Sequence, residues 1–290
     1  MTTKVLVTGA TGLVGREVIT RLIGAGVAVR ALTRDPAKAE FPAGVEVYQG
    51  DLTDPETVAP ALEGVERLYL FPVPETATEV VALAKTAGVR RIVVLSAAAV
   101  TVGLDTYHHP RVEQAVEASG LEWTHVRPGE FMTNMQPVWA PSIRAERVVR
   151  HPFATQIGVP VHEADVAEVA VAALLEDGHA GRAYTLSGPA QITYREQVEA
   201  IGAALGEEVR YEEVSREEAR ELLKEQGGFA AANADFLLGF VDYGGSSASG
   251  SGEEPDYSAL LKPWPGVRDA TGKPGRTFAE WARDHVEDFR

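Results

Sequence analysis

Cysteine is absent from the 290 residues of this chain. Its absence excludes a disulfide framework, a thiolate nucleophile and a metal site built on cysteine. Long apolar runs are also absent, because no stretch approaches the roughly 20 residues that a membrane-spanning helix needs. The first residues lead directly into a predicted strand instead of a signal peptide, so we expect a cytoplasmic protein.

Basic residues are few: 27 Lys and Arg stand against 42 Asp and Glu, which gives a formal net charge of −15. A field of this sign repels nucleic-acid phosphates, so we expect neither DNA nor RNA as a partner. A Gly-x-Ser-x-Gly motif is lacking as well, which argues against a serine hydrolase. By contrast, 45% of the residues are hydrophobic, enough for a sizeable core in one large α/β unit or in two lobes.

Residues 4–15, KVLVTGATGLVG, are the most informative stretch that is present. A short apolar strand runs into three glycines, and apolar residues then recur with helical spacing. Gly9 permits a tight turn, Gly12 lets the backbone approach a phosphate pair, and Gly15 lets the helix pack against the strand. The helix N-terminus supplies N–H donors and a partial positive charge for an anion. The pattern predicts a dinucleotide pyrophosphate site, to which we also assign Thr11, Leu13 and Val14.

Thr33 and Arg34 follow the next predicted strand, about 20 residues on, where a dinucleotide fold reads the adenosine ribose. A carboxylate there would repel a 2′-phosphate, whereas a guanidinium binds it in a bidentate manner, so the pair favours NADP(H) as the cofactor. Arg16 and Lys38 add positive charge nearby. The alternative is that Arg34 is a solvated loop residue beside Asp35.

Asp51 and Leu52 close the third predicted strand. The aspartate is placed to accept from an adenine amino group while the leucine packs on the ring. In the alternative interpretation, Asp51 caps a turn before a capping box at Thr53–Glu56 that opens a helix.

Strand and helix patterns alternate along the first 130 residues at the pace of a parallel sheet. Later predicted strands and helices lie at 67–71, 75–87, 91–95, 109–119 and 123–127. The pattern predicts an α/β fold, a doubly wound parallel sheet of the Rossmann type with ligands at the carboxyl ends of the strands. Those ends place Phe71, Ser96 and Arg127 among the predicted cofactor contacts.

The alternation becomes irregular beyond residue 130. We expect residues 1–130, completed by 164–188, to form the cofactor domain, and 131–290 to form mainly a smaller, mixed substrate or lid lobe. Three capping boxes predict helix starts in this lobe, at Thr193, Ser215 and Thr277. The segment 244–254, rich in Gly and Ser, predicts a flexible loop.

A mixed aromatic and thioether segment follows the sixth predicted strand. Phe131, Met132, Asn134 and Met135, with Trp139 after them, are candidates for lining a flat, apolar substrate pocket. Alternatively, they only pack the two lobes together.

Several blocks together resemble the NmrA-like branch of the atypical short-chain dehydrogenases/reductases. They are TGATGLVG at 8–15, the pair 33–34, EQAVEASGLEWTHVRPG at 113–129, VHEADVA at 161–167 and YTLSGP at 184–189. The resemblance covers most of the chain and implies an extended Rossmann fold that binds NADP. The branch contains quinone and dye reductases, tailoring reductases of natural-product pathways, and members that bind the nucleotide as regulators without turnover.

The catalytic pair of the wider superfamily, Tyr-x-x-x-Lys on one helix face, has no full counterpart here. Tyr107 and Arg111 have the spacing, but arginine cannot relay a proton. Alignment on the 113–120 block instead places His109 at the lysine position and Asp105 at the tyrosine position. Tyr107 and His109 therefore both remain candidates for the proton donor, with Ser96 as a further catalytic or substrate-facing hydroxyl.

The sequence as a whole predicts an NADPH-dependent reductase that transfers hydride to a quinone-like or other conjugated, largely apolar carbonyl substrate. A non-catalytic NADP(H)-sensing regulator and an NADP-dependent isomerase or epimerase are the alternatives. A small aromatic or quinoid molecule is the expected partner, and a homodimer is allowed. No metal is expected, because His108, His109 and Glu113 do not supply a complete ligand set.

Overall fold

The computed structural model describes residues 3–241 and 258–290, so the predicted loop at 244–254 lies outside the described residues. The chain divides into two compact units. The first comprises Met1–Gly129, Glu163–Ser187 and Trp264–Gly275, and the second comprises Glu130–His162, Gly188–Pro263 and Arg276–Arg290. The sequence did not indicate that residues 264–275 belong to the first unit. The roles of cofactor domain and substrate lobe stay predictions.

The regular elements alternate along much of the chain. The strands are β1 (Lys4–Val7), β2 (Ala28–Thr33), β3 (Glu46–Gln49), β4 (Arg67–Leu70), β5 (Arg91–Leu95), β6 (Glu122–Pro128), β7 (Val148–Arg150), β8 (Ile157–Gly158), β9 (Arg182–Leu186), β10 (Ile192–Thr193) and β11 (Arg210–Glu212). The helices are α1 (Leu13–Gly24), α2 (Ala59–Leu62), α3 (Ala77–Thr86), α4 (Ala98–Thr101), α5 (His108–Ala118), α6 (Gln136–Glu146), α7 (Glu163–Leu175), α8 (Tyr194–Leu205), α9 (Arg216–Gln226), α10 (Gly228–Leu237), α11 (Gly266–Thr271) and α12 (Phe278–Asp284).

Seven parallel strands form the sheet of the first unit, in the order β3-β2-β1-β4-β5-β6-β9. The central strand β1 pairs on both sides, since Val5 lies opposite Val29 and opposite Arg67. The order reverses direction at β1, as it does in doubly wound folds that bind dinucleotides. The predicted fold class is confirmed.

Helices cover both faces of this sheet. Because strand side chains alternate between faces, one set of apolar residues meets α3 and α5, while the opposite set meets α1 and α7. The core under α3 and α5 includes Leu6, Leu68, Ile92, Val112 and Val116, all with no exposed surface. Burial on both faces explains why these strands read as continuous apolar runs in the sequence.

Two arginines near the amino ends of β4 and β5 hold the carboxyl end of α7. Arg67 donates to the Leu174 carbonyl at 2.6 Å, and Arg91 donates to the carbonyls of Leu174 and Glu176 at 3.2 and 2.6 Å. Arg91 also donates to the Glu122 carboxylate at 2.7 Å. These contacts satisfy the last carbonyls of the helix and place positive charge at the negative end of its dipole. They fix α7 at the edge of the sheet opposite to the carboxyl ends.

Two of the predicted capping boxes in the later part of the chain are confirmed, at Thr193 with Glu196 and at Thr277 with Glu280. In the third, the Ser215 side chain accepts from the Glu218 N–H.

The predicted capping box at Thr53–Glu56 is wrong. The Thr53 N–H is taken by the Asp51 carboxylate at 2.9 Å, and a 3₁₀ turn, Pro55–Thr57, precedes α2. The Thr57 hydroxyl donates to the Asp54 carbonyl at 2.6 Å, so local side-chain bonds replace the cap.

The second unit contains two small sheets, β8 with β10 antiparallel and β7 with β11 parallel. Its core is rich in aromatic residues, among them Trp139, Trp281 and Phe289. None of the helices in the described part of the chain combines the length and apolar character required to cross a membrane.

His151 is an unusual member of that core. Only 1% of its surface is exposed, and its ring lies 5.4 Å from Phe153, 5.2 Å from Tyr194 and 6.3 Å from Trp139 between centroids. Neither ring nitrogen has a hydrogen-bond partner among the described residues. Burial lowers the pKa of His151 from 6.5 to about 4, so the folded protein holds a neutral imidazole.

We predict that His151 weakens the folded state in mild acid. Below its unfolded-state pKa of about 6.5, the unfolded chain binds a proton that the folded chain refuses until about pH 4. The contribution of His151 to the free energy of unfolding is therefore fully present above about pH 6.5 and is lost as the pH falls toward 4. About 2 kcal/mol of it is lost at pH 5. His151→Phe removes this contribution, so its urea midpoint should fall less between pH 7 and pH 5 than that of the unmodified protein.

The matched control is His108→Phe, which changes an exposed histidine and should keep the pH dependence of the unmodified protein. Equal pH dependence in the unmodified protein and in His151→Phe would contradict the prediction.

Candidate functional site

The turn after β1 depends on its glycines. Gly9 has a φ of +59°, and its carbonyl accepts from the Gly12 N–H at 3.0 Å. A Cβ on Gly15 would lie 2.2 Å from the Gly9 carbonyl oxygen, so only glycine lets α1 begin this close to the strand. This is the steric role predicted for Gly9 and Gly15. The phosphate contact of Gly12 stays a prediction.

A cavity of about 510 Å³ opens at this turn, within the first unit. Its lining includes eight of the residues predicted to bind the cofactor: Gly9, Thr11, Gly12, Thr33, Arg34, Asp51, Leu52 and Phe71. Of the other predicted contacts, Leu13 is exposed at the first position of α1, while Val14 and Gly15 are buried behind it. The cavity therefore joins the carboxyl ends of β1, β2, β3 and β4 in one space.

Thr8 ties two of these strand ends together, which the sequence did not indicate. Its hydroxyl donates to the Tyr69 carbonyl at 3.0 Å and accepts from the Phe71 N–H at 2.8 Å. Phe71 is 43% exposed and lies over the turn, since a Cβ on Gly9 would be 2.9 Å from its ring. The bond from Thr8 thus fixes an aromatic ring at the mouth of the cavity.

Arg34 stands exposed at the end of β2. No hydrogen bond or ion pair holds its guanidinium within the part of the chain that the structure describes, whereas Lys38 is paired with Asp35 at 2.9 Å. Arg16 donates to the Thr11 carbonyl at 2.9 Å, which keeps a second guanidinium beside the glycine turn. An uncommitted guanidinium on a cavity wall is available to an anionic group.

Asp51 takes the turn-capping role that the sequence left open, because its Oδ1 accepts from the Thr53 N–H. This hydrogen bond, with a smaller effect of the Arg34 charge, lowers the pKa of Asp51, so the carboxylate is ionised and accepts hydrogen bonds only. Gly50 beside it is a residue that the sequence analysis missed. A Cβ there would lie 2.7 Å from the Thr57 carbonyl oxygen, so the close packing of this loop needs glycine.

Ser96 and Arg127 lie at the ends of β5 and β6, and both bind Glu113 of α5. The buried Ser96 hydroxyl donates to Glu113 Oε1 at 2.6 Å, and Arg127 donates to both carboxylate oxygens, at 2.9 and 2.6 Å. Burial opposes ionisation, but the hydrogen bonds from Arg127 and Ser96 hold the pKa of Glu113 below its ordinary value. The structure thus places both predicted cofactor contacts in a buried network; neither is part of the cavity lining described above.

The same carboxylate belongs to the one group with metal-ligand spacing among the described residues, Glu113, Glu117 and His125, whose ligand atoms lie within 4.8 Å of one another. Both Glu113 oxygens already accept from Arg127, and His125 Nε2 lies 3.0 Å from Glu117. A cation would have to displace a guanidinium, so the group carries no metal proposal.

The two candidates for the proton donor lie two residues apart at the start of α5. Tyr107 precedes the helix and is 59% exposed, and its hydroxyl accepts from Arg111 at 2.7 Å. Asp105 is buried, and its carboxylate accepts from the N–H groups of residues 107–109 and lies 2.6 Å from His109 Nδ1. Burial opposes this charge, but the hydrogen bonds from His109 and from the backbone lower the pKa of Asp105 to about 2.

The predicted substrate residues lie in the second unit and differ in exposure. Met132, Met135 and Trp139 are 2–4% exposed and belong to its core, whereas Phe131 is half-buried and Asn134 is exposed. Met132 also lines a cavity of about 300 Å³ within that unit. Packing explains the burial of Met135 and Trp139. The predicted substrate contact of Phe131, Met132, Asn134 and Met135 stays a prediction.

Glu130 was missed by the sequence analysis. Its Oε2 packs so closely on Gly158 that a Cβ there would lie 2.8 Å away. Burial raises the pKa of Glu130 to about 7. The only sequence signal was its position directly before the predicted substrate residues.

Comparison with known proteins agrees with this geometry. A family model described as NAD(P)H-binding matches residues 9–177. A (4-alkanoyl-5-oxo-2,5-dihydrofuran-3-yl)methyl phosphate reductase of Streptomyces griseus is 41% identical, over 98% of this chain and 99% of the relative. An NAD(P)H azoreductase of Xenophilus azovorans is 33% identical over 98% and 99%. The crystal structure of an NADPH-dependent quinone oxidoreductase from Escherichia coli, complexed with NADPH, is 28% identical over 98% and 99%, with a TM-score of 0.74.

We predict that Gly15→Ala damages the turn, whereas Gly24→Ala does not. The added Cβ at Gly15 meets the Gly9 carbonyl at 2.2 Å, but nothing lies within 4 Å of one at Gly24. Gly15→Ala should lose about 1–3 kcal/mol of stability and bind NADPH more weakly. Chemical unfolding and fluorescence titration would measure the two effects, and equal behaviour of the two variants would contradict the prediction.

Proposed function

Because the chain belongs to the NAD(P)H-binding family and is an oxidoreductase of the atypical short-chain dehydrogenase/reductase type, we propose that it transfers hydride from NADPH to a quinone-like or otherwise conjugated, largely apolar acceptor. The relatives confirm the predicted reductase class and NADP(H) as the cofactor. The observation that carries the choice of NADPH over NADH is the uncommitted guanidinium of Arg34 on the cavity wall.

The residues of the first unit fit this cofactor. The turn from Gly9 to Gly12 would receive the pyrophosphate, together with the first N–H groups of α1, which have no carbonyl partner one turn earlier. Arg34 would bind the 2′-phosphate, and Asp51 would accept from the adenine amino group. When bound, the reduced cofactor supplies the hydride.

The acceptor class rests on chemistry that the relatives share. Their names specify an oxo-dihydrofuran, an azo compound and a quinone, each of which has a conjugated electrophile. Such acceptors stabilise the charge that hydride delivers, so they need less help from a strong acid than an isolated ketone does. This fits a chain that lacks the superfamily Tyr-x-x-x-Lys pair.

The substrate is a small molecule. Its aromatic or quinoid character, a homodimeric assembly and a cytoplasmic location stay predictions.

We predict that Arg34 sets the preference for NADPH. Arg34→Asp turns a charge-assisted contact into a repulsion, so NADPH affinity should fall by about 1.5–3 kcal/mol, roughly 10- to 150-fold, while NADH affinity stays nearly constant. Arg34→Gln removes the charge without adding repulsion, so its affinity for NADPH should lie between those of the unmodified protein and of Arg34→Asp. Calorimetry with both nucleotides measures this, and equal affinities in the unmodified protein would reject it.

We predict that the unmodified protein oxidises NADPH in the presence of quinones, followed as loss of nicotinamide absorbance in stopped flow. Unactivated aliphatic ketones serve as the matched control and should react much more slowly. Tight NADPH binding without oxidation by any quinone, azo compound or conjugated lactone would contradict the proposed acceptor class.

A further inference from the structure

Side chains at the start of α5 fall into two sets. α5 begins at His108, and within it residues four apart share a face while residues two apart lie about 200° around the axis. His109 and Glu113 therefore share one face, and Arg111 lies on the far side. Asp105 and Tyr107 precede the helix and join these faces through hydrogen bonds, Asp105 with His109 and Tyr107 with Arg111. We call Asp105, His109 and Glu113 the first stripe, and Tyr107 and Arg111 the opposite stripe.

Glu113 shows which way the first stripe faces. It is bound by Ser96, directly after β5, and by Arg127 near the end of β6. Because β5 and β6 are parallel, α5 runs back along them, so a residue one turn earlier lies about 6 Å further beyond the strand ends. His109 is that residue. It therefore stands at the carboxyl edge of the sheet, where ligands of doubly wound folds bind.

The position of His109 along the carboxyl ends of the strands suits a contact with the nicotinamide end of a dinucleotide. The adenosine end is read beside β2 and β3, where Arg34 and Asp51 line the cavity. The other half of the fold, β4 to β6, is left for the nicotinamide. His109 stands beside β5 and β6, whereas Arg111 of the opposite stripe lies with Lys85 in a groove between α3 and α5.

The contact between Asp105 and His109 decides the tautomer of the ring. Asp105 is ionised and therefore accepts only, so His109 Nδ1 must carry a proton across their 2.6 Å contact. Nε2 is then the ring nitrogen left for a ligand, and the side chain retains 16% exposure. The carboxylate also balances the charge of an imidazolium. Its bonds to three backbone N–H groups hold it in place.

We infer that Asp105 is a positioning residue that orients His109 and that His109 Nε2 donates the proton to the acceptor, an inference that rests on the proposed function. The donor is the imidazolium of His109, which carries a proton on each ring nitrogen. As the acceptor takes the hydride, with its two electrons, from the reduced nicotinamide, the proton on Nε2 would move to an acceptor heteroatom. His109 would then be a neutral imidazole protonated at Nδ1, and a proton from solvent would restore the imidazolium. The Asp105–His109 dyad thus replaces the superfamily pair in the register that the 113–120 block indicated.

The test compares variants with a quinone that the unmodified protein reduces. His109→Ala should lower kcat by roughly 100-fold, the usual scale for a general acid, with NADPH affinity unchanged. Added free imidazole should restore part of the rate in this variant only. His108→Ala, the neighbouring exposed histidine, is the matched control and should keep the full rate. Normal kcat in His109→Ala, or a 100-fold loss in Tyr107→Phe, would overturn the inference.

Asp105→Asn separates orientation from folding. Asparagine still accepts hydrogen bonds at the start of a helix, but its amide would donate to Nδ1 and move the ring proton to Nε2. We expect kcat to fall about 10- to 100-fold, because asparagine neither holds the proton on Nδ1 nor balances the charge of the imidazolium that donates, with the KM for the quinone and the unfolding midpoint nearly unchanged. Loss of stability in step with activity would mean that Asp105 is structural only.

A spectroscopic measurement tests the dyad without turnover. Imidazole ¹⁵N spectra of the unmodified protein in mildly alkaline buffer should show His109 protonated at Nδ1, with the signals assigned by their loss in His109→Ala. Asp105→Asn should shift the proton to Nε2. A proton on Nε2 in the unmodified protein would overturn the inference, even if no quinone were reduced and the proposed function itself had failed.

Discussion

The contact between the Gly15 backbone and the Gly9 carbonyl oxygen is the constraint on which the site depends. With a side chain on Gly15, α1 would have to begin further from β1, because a Cβ would lie 2.2 Å from that oxygen. The contact brings the first N–H groups of α1 to the carboxyl ends of the strands. The cavity opens at this turn, and the ring of Phe71 lies over Gly9.

Two arginine contacts fix helices at the two ends of the strands of the same sheet, and each involves a buried charge, that of Arg91 in one and that of Glu113 in the other. Arg91 holds the carboxyl end of α7 at one end, and Arg127 holds Glu113 of α5 at the other. A buried charge without its partner is costly, so each pair permits only a narrow range of helix positions. Through Glu113 and the helical repeat, that restriction extends to His109, one turn away. The contact between Arg127 and Glu113, which fixes the packing of α5, thereby also fixes the position of His109.

In the described part of the second unit, two ionisable groups are buried without a charged partner, and burial alone shifts their pKa values. Burial lowers the pKa of His151 and raises the pKa of Glu130, and both shifts favour the neutral form. His151 does so inside an aromatic core, as Trp139 beside it shows. The aromatic and thioether segment, which suggested a substrate pocket in the sequence, contributes Met132, Met135 and Trp139 to this core. Of its two methionines, Met132 also lines the cavity of the second unit.

The sequence by itself determined the sheet, the glycine turn and the cofactor class, because these depend on local spacing: apolar runs for buried strands, three glycines for a close helix, and Arg34 after β2. Only the tertiary structure decided the rest. Ser96 and Arg127 meet at Glu113, and Thr8 meets Phe71, across strands that are far apart in sequence. The relation of Tyr107 to His109 also needed the tertiary structure, because Tyr107 precedes α5 and because periodicity does not say which face of a helix meets the sheet.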